Sequence, residues 1–181
     1  MKRLFLLLFL FCLLFLPFCE EIQAQAAESN QSISLNVLGL EYVYEHPLDK
    51  KFTVTGRGGL AAGILWTKMS GSYTKFDYLI CPTVGLESRY YYNLEKRFVE
   101  GKKTANNSAN FLSVQARYYI PWGMASENMK IRENAIVFSP SWGLRRVLNS
   151  KWIFEINTGL NLWANDFKLE PAANARIGFV L

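Results

Sequence analysis

An all-β fold, a small antiparallel transmembrane β-barrel of eight strands, is predicted by three features of this sequence. Apolar residues recur at every second position in segment after segment, the pattern of strands with one apolar and one polar face. The best of these, Trp152–Trp163, matches the ~9–11 residues a tilted strand needs to cross a hydrocarbon layer. Ahead of them, Lys2 and Arg3 precede an apolar run from Leu4 to Phe18, the charged and hydrophobic parts of an export signal.

That run is short for a spanning helix. Ala24 and Ala26 have the small-residue spacing of a signal-peptidase site, so cleavage is expected after Ala26, with Ala24 as second choice. Leu16 and Cys19 have lipoprotein spacing, but bulky Phe18 argues against lipidation. The expected organisation is a signal peptide over 1–26, a short lead over 27–32 and a barrel over 33–181. The mature chain then has 155 residues, enough for one domain, and a net charge of +5 spread over turns, which gives nucleic-acid binding little support. Only Cys81 survives cleavage, so no intramolecular disulfide is expected, and with His46 alone beside it no metal site or cofactor is either.

The first strand places Leu38, Leu40, Tyr42 and Tyr44 opposite Gly39, Glu41 and Glu45, with Val43 out of phase. Upstream, Ile33, Leu35 and Val37 have the opposite phase. Either the strand begins near Leu38 or a bulge at 37–38 adds a residue, and the bulge is preferred. Alternation continues through 52–60, 76–92, 112–118, 136–145, 152–163 and 176–181. In the sixth segment Ile153 is the mismatch. Pro82 and Pro140 cannot donate to a ladder, so a bulge or a missing bond is expected beside each. Seven segments cannot close a bacterial barrel, whose strand number is even. The eighth crossing is expected in 64–75, 120–133 or 163–174. Sidedness stays open: the short turns near Pro47–Lys51 and Val147–Lys151 look periplasmic, yet this count puts the first on the opposite side.

Aromatic residues gather near strand ends, where amphipathic rings favour headgroup depth: Tyr90, Tyr92, Tyr118, Trp122, Trp142, Trp152 and Trp163 are the expected girdle. If the polar faces point inward, the lumen receives Glu41, Glu45, Glu87 and Glu155 with Arg57, Arg89, Arg117, Arg145 and Arg176. An eight-stranded barrel is only wide enough for its own side chains, so these should form an ion-paired plug without ion conductance. A secreted lipocalin-like barrel, with an apolar cavity and a wetted exterior, is the architectural rival.

The segments Arg89-Tyr-Tyr-Tyr-Asn-Leu-Glu-Lys-Arg97, Gly101-Lys-Lys-Thr-Ala-Asn-Asn-Ser-Ala-Asn-Phe-Leu112, Pro140-Ser-Trp-Gly-Leu-Arg-Arg146 and Arg176-Ile-Gly-Phe resemble small outer-membrane β-barrel proteins of the Bacteroidota, similar in form to the membrane domain of OmpA-like proteins. The resemblance covers most of the mature chain and implies an outer-membrane location and barrel architecture. The sequence closes on Leu181 where that group usually has an aromatic, with Phe179 and Ile177 keeping the alternation, so recognition in assembly is expected to survive and no peptidoglycan-anchoring role is expected to carry over.

Lys96, Arg97, Lys102 and Lys103 lie in a charged excursion, 93–110, that reads as a solvated loop or as a docking site for lipopolysaccharide phosphates or an envelope protein. The leading expectation is a non-enzymatic outer-membrane barrel, structural or accessory to an envelope complex, in contact with outer-membrane lipid or lipopolysaccharide. The alternatives are a lipid-modifying enzyme (deacylase, phospholipase or acyltransferase) and a soluble lipid-binding barrel. An enzyme would need a nucleophile and a base within reach. His46 is the only imidazole, and Ser32, Ser34 and Ser88 have no supporting spacing to it.

Overall fold

The computed structural model describes residues 26–37, 39–68, 74–127 and 135–181; Leu38 and nearly all of the expected signal peptide lie outside them. The strands are β1 (Asn30–Asn36), β2 (Gly39–Pro47), β3 (Phe52–Lys68), β4 (Thr74–Tyr90), β5 (Asn110–Tyr119), β6 (Met124–Ala125), β7 (Ala135–Val147), β8 (Trp152–Trp163) and β9 (Leu169–Val180). Sequence neighbours pair antiparallel around the ring, β4 pairs with both β3 and β5, and β9 returns to β1. The result is a closed eight-stranded antiparallel barrel in which β6 continues the crossing begun by β5.

The missing crossing is β1, which lies in none of the three regions anticipated for it. Asn36 pairs with Gly39, so the phase change at 37–38 marks a chain reversal and not a bulge within one strand. Gly39 is required at this turn because a Cβ there would come 2.2 Å from the Leu60 carbonyl oxygen on β3. β1 also begins at Asn30, inside the stretch expected to be a lead.

With β1 counted, parity is restored. The connections around 48–51, 91–109 and 148–151 and both barrel termini share one end, hereafter the terminal end. The β1–β2, β3–β4, β5–β7 and β8–β9 connections share the other, the turn end.

Both prolines interrupt pairing. Thr83 faces Tyr119 but Ile80 faces Met124, so the β5–β6 side carries two extra residues opposite Pro82 and Cys81. Beside Pro140, β7–β8 pairing jumps from Phe138–Leu162 to Ser141–Gly159, and the Ser139 hydroxyl spans the gap by donating to Asn161 Oδ1 at 2.7 Å.

Alternation decides what each face meets. Leu35, Leu40, Leu60, Leu86, Val114, Phe138 and Ile156 point outward and are exposed, Leu86 by 65%. The inward phase buries Glu41, Glu87, Arg89, Arg145 and Glu155 to 2% exposure or less. Val43 and Ile153, the two mismatches, are apolar residues on that inner face. Apolar outside and ionic inside is the reverse of the lipocalin-like arrangement.

Candidate functional site

The inner wall gathers all nine charged residues singled out above, because each sits on the inward phase of its strand. Glu155 on β8 is the hub. It accepts from Arg89 (Nη2 to Oε1, 2.9 Å; Nη1 to Oε2, 3.1 Å) and from Arg145 Nε (2.9 Å), and pairs with Arg176 Nη2 at 2.6 Å. Arg57 joins Glu87 (Nη2, 2.7 Å) to Glu41 (Nη1, 3.2 Å), and Arg89 Nη2 reaches Glu87 at 3.0 Å. Arg117 pairs with Glu41 at 2.7 Å, and Arg145 Nη1 with Glu45 at 2.6 Å. Shared carboxylates thus link strands that are not neighbours in the ring. Asp77, a further buried acid, accepts from the Ser126 hydroxyl at 2.9 Å.

Several partners were not foreseen. Tyr91 donates to Glu45 Oε1 at 2.7 Å and Thr53 donates to the same oxygen at 2.6 Å. Burial pushes the Tyr91 hydroxyl well above the ordinary tyrosine range, so it remains a donor. Tyr91 continues the odd-numbered phase of Glu87 and Arg89, a signal present in the sequence. Phe111, fully buried, lies under the Arg89 guanidinium at 4.4 Å and beside the Tyr91 ring at 5.5 Å.

The same ring explains Gly143, whose added Cβ would stand 2.2–2.7 Å from three Phe111 ring carbons. Gly143→Ala should destabilise the barrel by about 1–3 kcal/mol. Phe111→Leu in the same chain should return part of that loss, read by urea titration of the folded fraction.

The terminal end is closed by its own chain. The excursion after β4 folds into a short helix, α1 (Leu94–Val99), and a 3₁₀ turn at Ala105–Asn107. Ala27, Tyr91, Leu94, Ala109 and Phe111 form a small apolar cluster. Asn107 holds the lead segment, accepting from the Glu28 amide (2.7 Å) and donating to its carbonyl (2.9 Å). Arg145 donates from Nη1 to the Asn106 carbonyl at 3.2 Å, tying this plug to the ion network.

Of the four docking candidates, Arg97 is an internal clamp, donating to the Ser108 and Lys103 carbonyls at 2.8 and 3.0 Å. Lys96, Lys102 and Lys103 are exposed, and Lys102 pairs with Glu100 at 2.7 Å.

The aromatic candidates divide. At the terminal end, Tyr90 stacks on Phe52, Trp152 meets Phe179 edge-on, and Trp142 Nε1 donates to the Tyr92 hydroxyl at 2.8 Å. Toward the turn end, Tyr118 takes the outward phase and Trp122 is 72% exposed. Trp163 departs from the girdle pattern. It pairs with inward-facing Val137, stacks on Tyr119 and donates to Glu170 at 2.9 Å, so it is placed with the lumen. Its odd position in β8 makes it share Glu155's face.

The nucleophile and base candidates are kept apart. Ser32 and Ser34 are buried on the inner face, whereas His46 is exposed on the outer one. Ser88 shares the outer face, but both it and His46 pair with Val54 from opposite sides. That leaves them two strand spacings apart, about 10 Å. Among the described residues no group of three or more His, Cys, Asp or Glu could hold a metal ion.

Above the network, toward the turn end, lies a cavity of about 360 Å³ with Glu87, Arg117 and Arg176 in its lining. The site is therefore an ion-paired, plugged half-lumen beneath a chamber of mixed polar and apolar lining. Comparison with protein-family models, with curated proteins and with solved structures finds no match to this chain.

Proposed function

We propose that this chain is a non-enzymatic outer-membrane β-barrel of the small OmpA-like kind found in Bacteroidota, serving as a structural or accessory subunit of an envelope complex. The observation that carries this reading is the inverted polarity of the wall. A belt of exposed Leu, Val, Ile and aromatic side chains surrounds a ring of buried ion pairs. In water such an exterior would leave a large unsolvated apolar surface, whereas in a bilayer it meets hydrocarbon, and closure leaves no strand edge unpaired. The separation of His46 from every serine considered favours a non-catalytic role. The export signal expected over 1–26 agrees with the location.

Short turns at 48–51 and 148–151, together with both barrel termini, suit a periplasmic terminal end. Lys96, Lys102 and Lys103 would then face the periplasm, within reach of a partner protein or inner-leaflet headgroups and away from lipopolysaccharide.

Membrane fractionation and a gel of unboiled against boiled protein test the placement. The expected outcome is recovery with the outer membrane, a mobility shift on boiling and no steady single-channel steps in planar bilayers. Recovery in the soluble fraction without detergent would overturn the membrane reading. Purification in mild detergent at native expression should retain a stoichiometric companion, and its absence would remove the accessory role.

A further inference from the structure

We propose that the turn-end chamber of the lumen binds a small hydroxylated carboxylate, of the size and chemistry of a sugar acid. The inference adds a ligand to the barrel and does not depend on where the barrel resides. A folded barrel that fails to bind would leave the membrane reading intact, and a soluble one could still bind.

Charge is the first argument. Among the described residues the connected network holds five guanidiniums, Arg57, Arg89, Arg117, Arg145 and Arg176, against four carboxylates, Glu41, Glu45, Glu87 and Glu155, while Asp77 and Glu170 lie outside that network. The charged side chains that line the chamber are Arg117 and Arg176 against Glu87, a local excess of one positive charge. Arg176 lines the wall with Nη2 on Glu155 at 2.6 Å and only a longer contact, 3.8 Å from Nη1, to Glu41. Arg117, also in the lining, has the more accessible side chain and commits Nη2 to Glu41, which leaves further donors on its fork. One surplus positive charge calls for a monoanion, and a guanidinium fork matches a carboxylate. A doubly charged phosphate would overshoot the balance.

Shape and lining supply the second argument. About 360 Å³ is far more than a bare counter-ion needs and lies at the lower end of ligand pockets, roughly 300–1,000 Å³. Gln115, Asn157 and Asn174 line it with amides, the Ser139 and Ser141 hydroxyls already bond within the wall, and Val137 adds an apolar side, a mixed surface that suits the hydroxyls and the apolar face of a sugar ring. The plug beneath makes this chamber a dead end, which suits retention of a ligand better than passage.

The test is calorimetric titration of the whole mature chain, folded in detergent micelles, with glucuronate, glucose, acetate and inorganic phosphate. Saturable one-to-one binding of glucuronate is expected, at least tenfold tighter than glucose or acetate and tighter than phosphate. Arg117→Gln should weaken it tenfold or more. Gln115→Leu, outside the ion network, should weaken it several-fold while the barrel keeps its gel shift on boiling, so the test survives a folding failure of the first variant. No glucuronate binding by the folded barrel, equal binding of acetate, tighter phosphate binding, or undiminished binding by a folded variant would each overturn the proposal.

Discussion

Glu155→Ala is expected to cost at least about 3–5 kcal/mol of stability, the range for deleting one partner of a buried ion pair. The reason is that Glu155 serves three guanidiniums at once, those of Arg89, Arg145 and Arg176, at 2.6–3.1 Å. None of them can shed its charge inside the barrel, because arginine stays protonated. Glu155→Gln should lose nearly as much. It keeps the volume but turns an NH₂ toward arginine donors. Adding Arg176→Leu to Glu155→Ala should recover part of the loss, since Arg176 has its close carboxylate in Glu155 and stands 3.8 Å from Glu41, so it is the cation left stranded. Urea unfolding in lipid vesicles, followed by the gel-mobility shift, reads all three. A loss below about 1 kcal/mol for Glu155→Ala would mean that the network does not hold the barrel together.

Leu86→Arg separates the two environments an apolar wall could face. Leu86 points outward from β4, four residues inside the Tyr90 ring, and its register neighbours are Gly56 and Ala116. Those small residues offer an arginine neither a partner nor cover. In a bilayer the substitution should destabilise the folded state by about 2–4 kcal/mol, as for a cation near the middle of a membrane barrel. In a water-soluble barrel the same surface change should stay within about 0.5 kcal/mol. Equal stability of Leu86→Arg and the parent chain in vesicles would therefore count against the membrane reading.

Most of the wall was legible because one physical rule, the two-residue period of a strand, carries it. That rule placed Glu41, Arg57, Glu87, Arg145 and Glu155 on one face with no knowledge of which strands pair. It failed at 37–38 because a tight turn and a single-residue bulge both invert the phase, and alternation does not record whether the chain continues or reverses. Asn36 and Gly39, residues suited to a turn, were the local signal for reversal. Trp163 follows its odd phase in β8 and not its nearness to a strand end, so proximity to a turn is the weaker of its two sequence signals. The plug was illegible for a different reason. Asn107 and Glu28 meet across 79 positions of sequence, and no local pattern announces such a contact. Arg97 read as surface charge because its carbonyl partners are backbone groups that every residue possesses.

The pairing of β1 with β9 has a consequence for assembly. Every other strand contact joins stretches close along the chain, such as β3 with β4, and can form by short-range zippering. The seam from Ser32–Val180 to Asn36–Arg176 instead joins the two extremes of the barrel. It can be made only after the final strand has been synthesised and delivered. Until then the chain is an open curved sheet with two raw edges and its charged face partly wet, the state most prone to mispairing with a second copy. Because Arg145 on β7 and Arg176 on β9 reach Glu45 and Glu41 on β2 only once the sheet has curled round to close, sealing the rim and completing the electrostatic circuit are one event. The ion cluster thus acts as a latch that reports correct registration of the last strand.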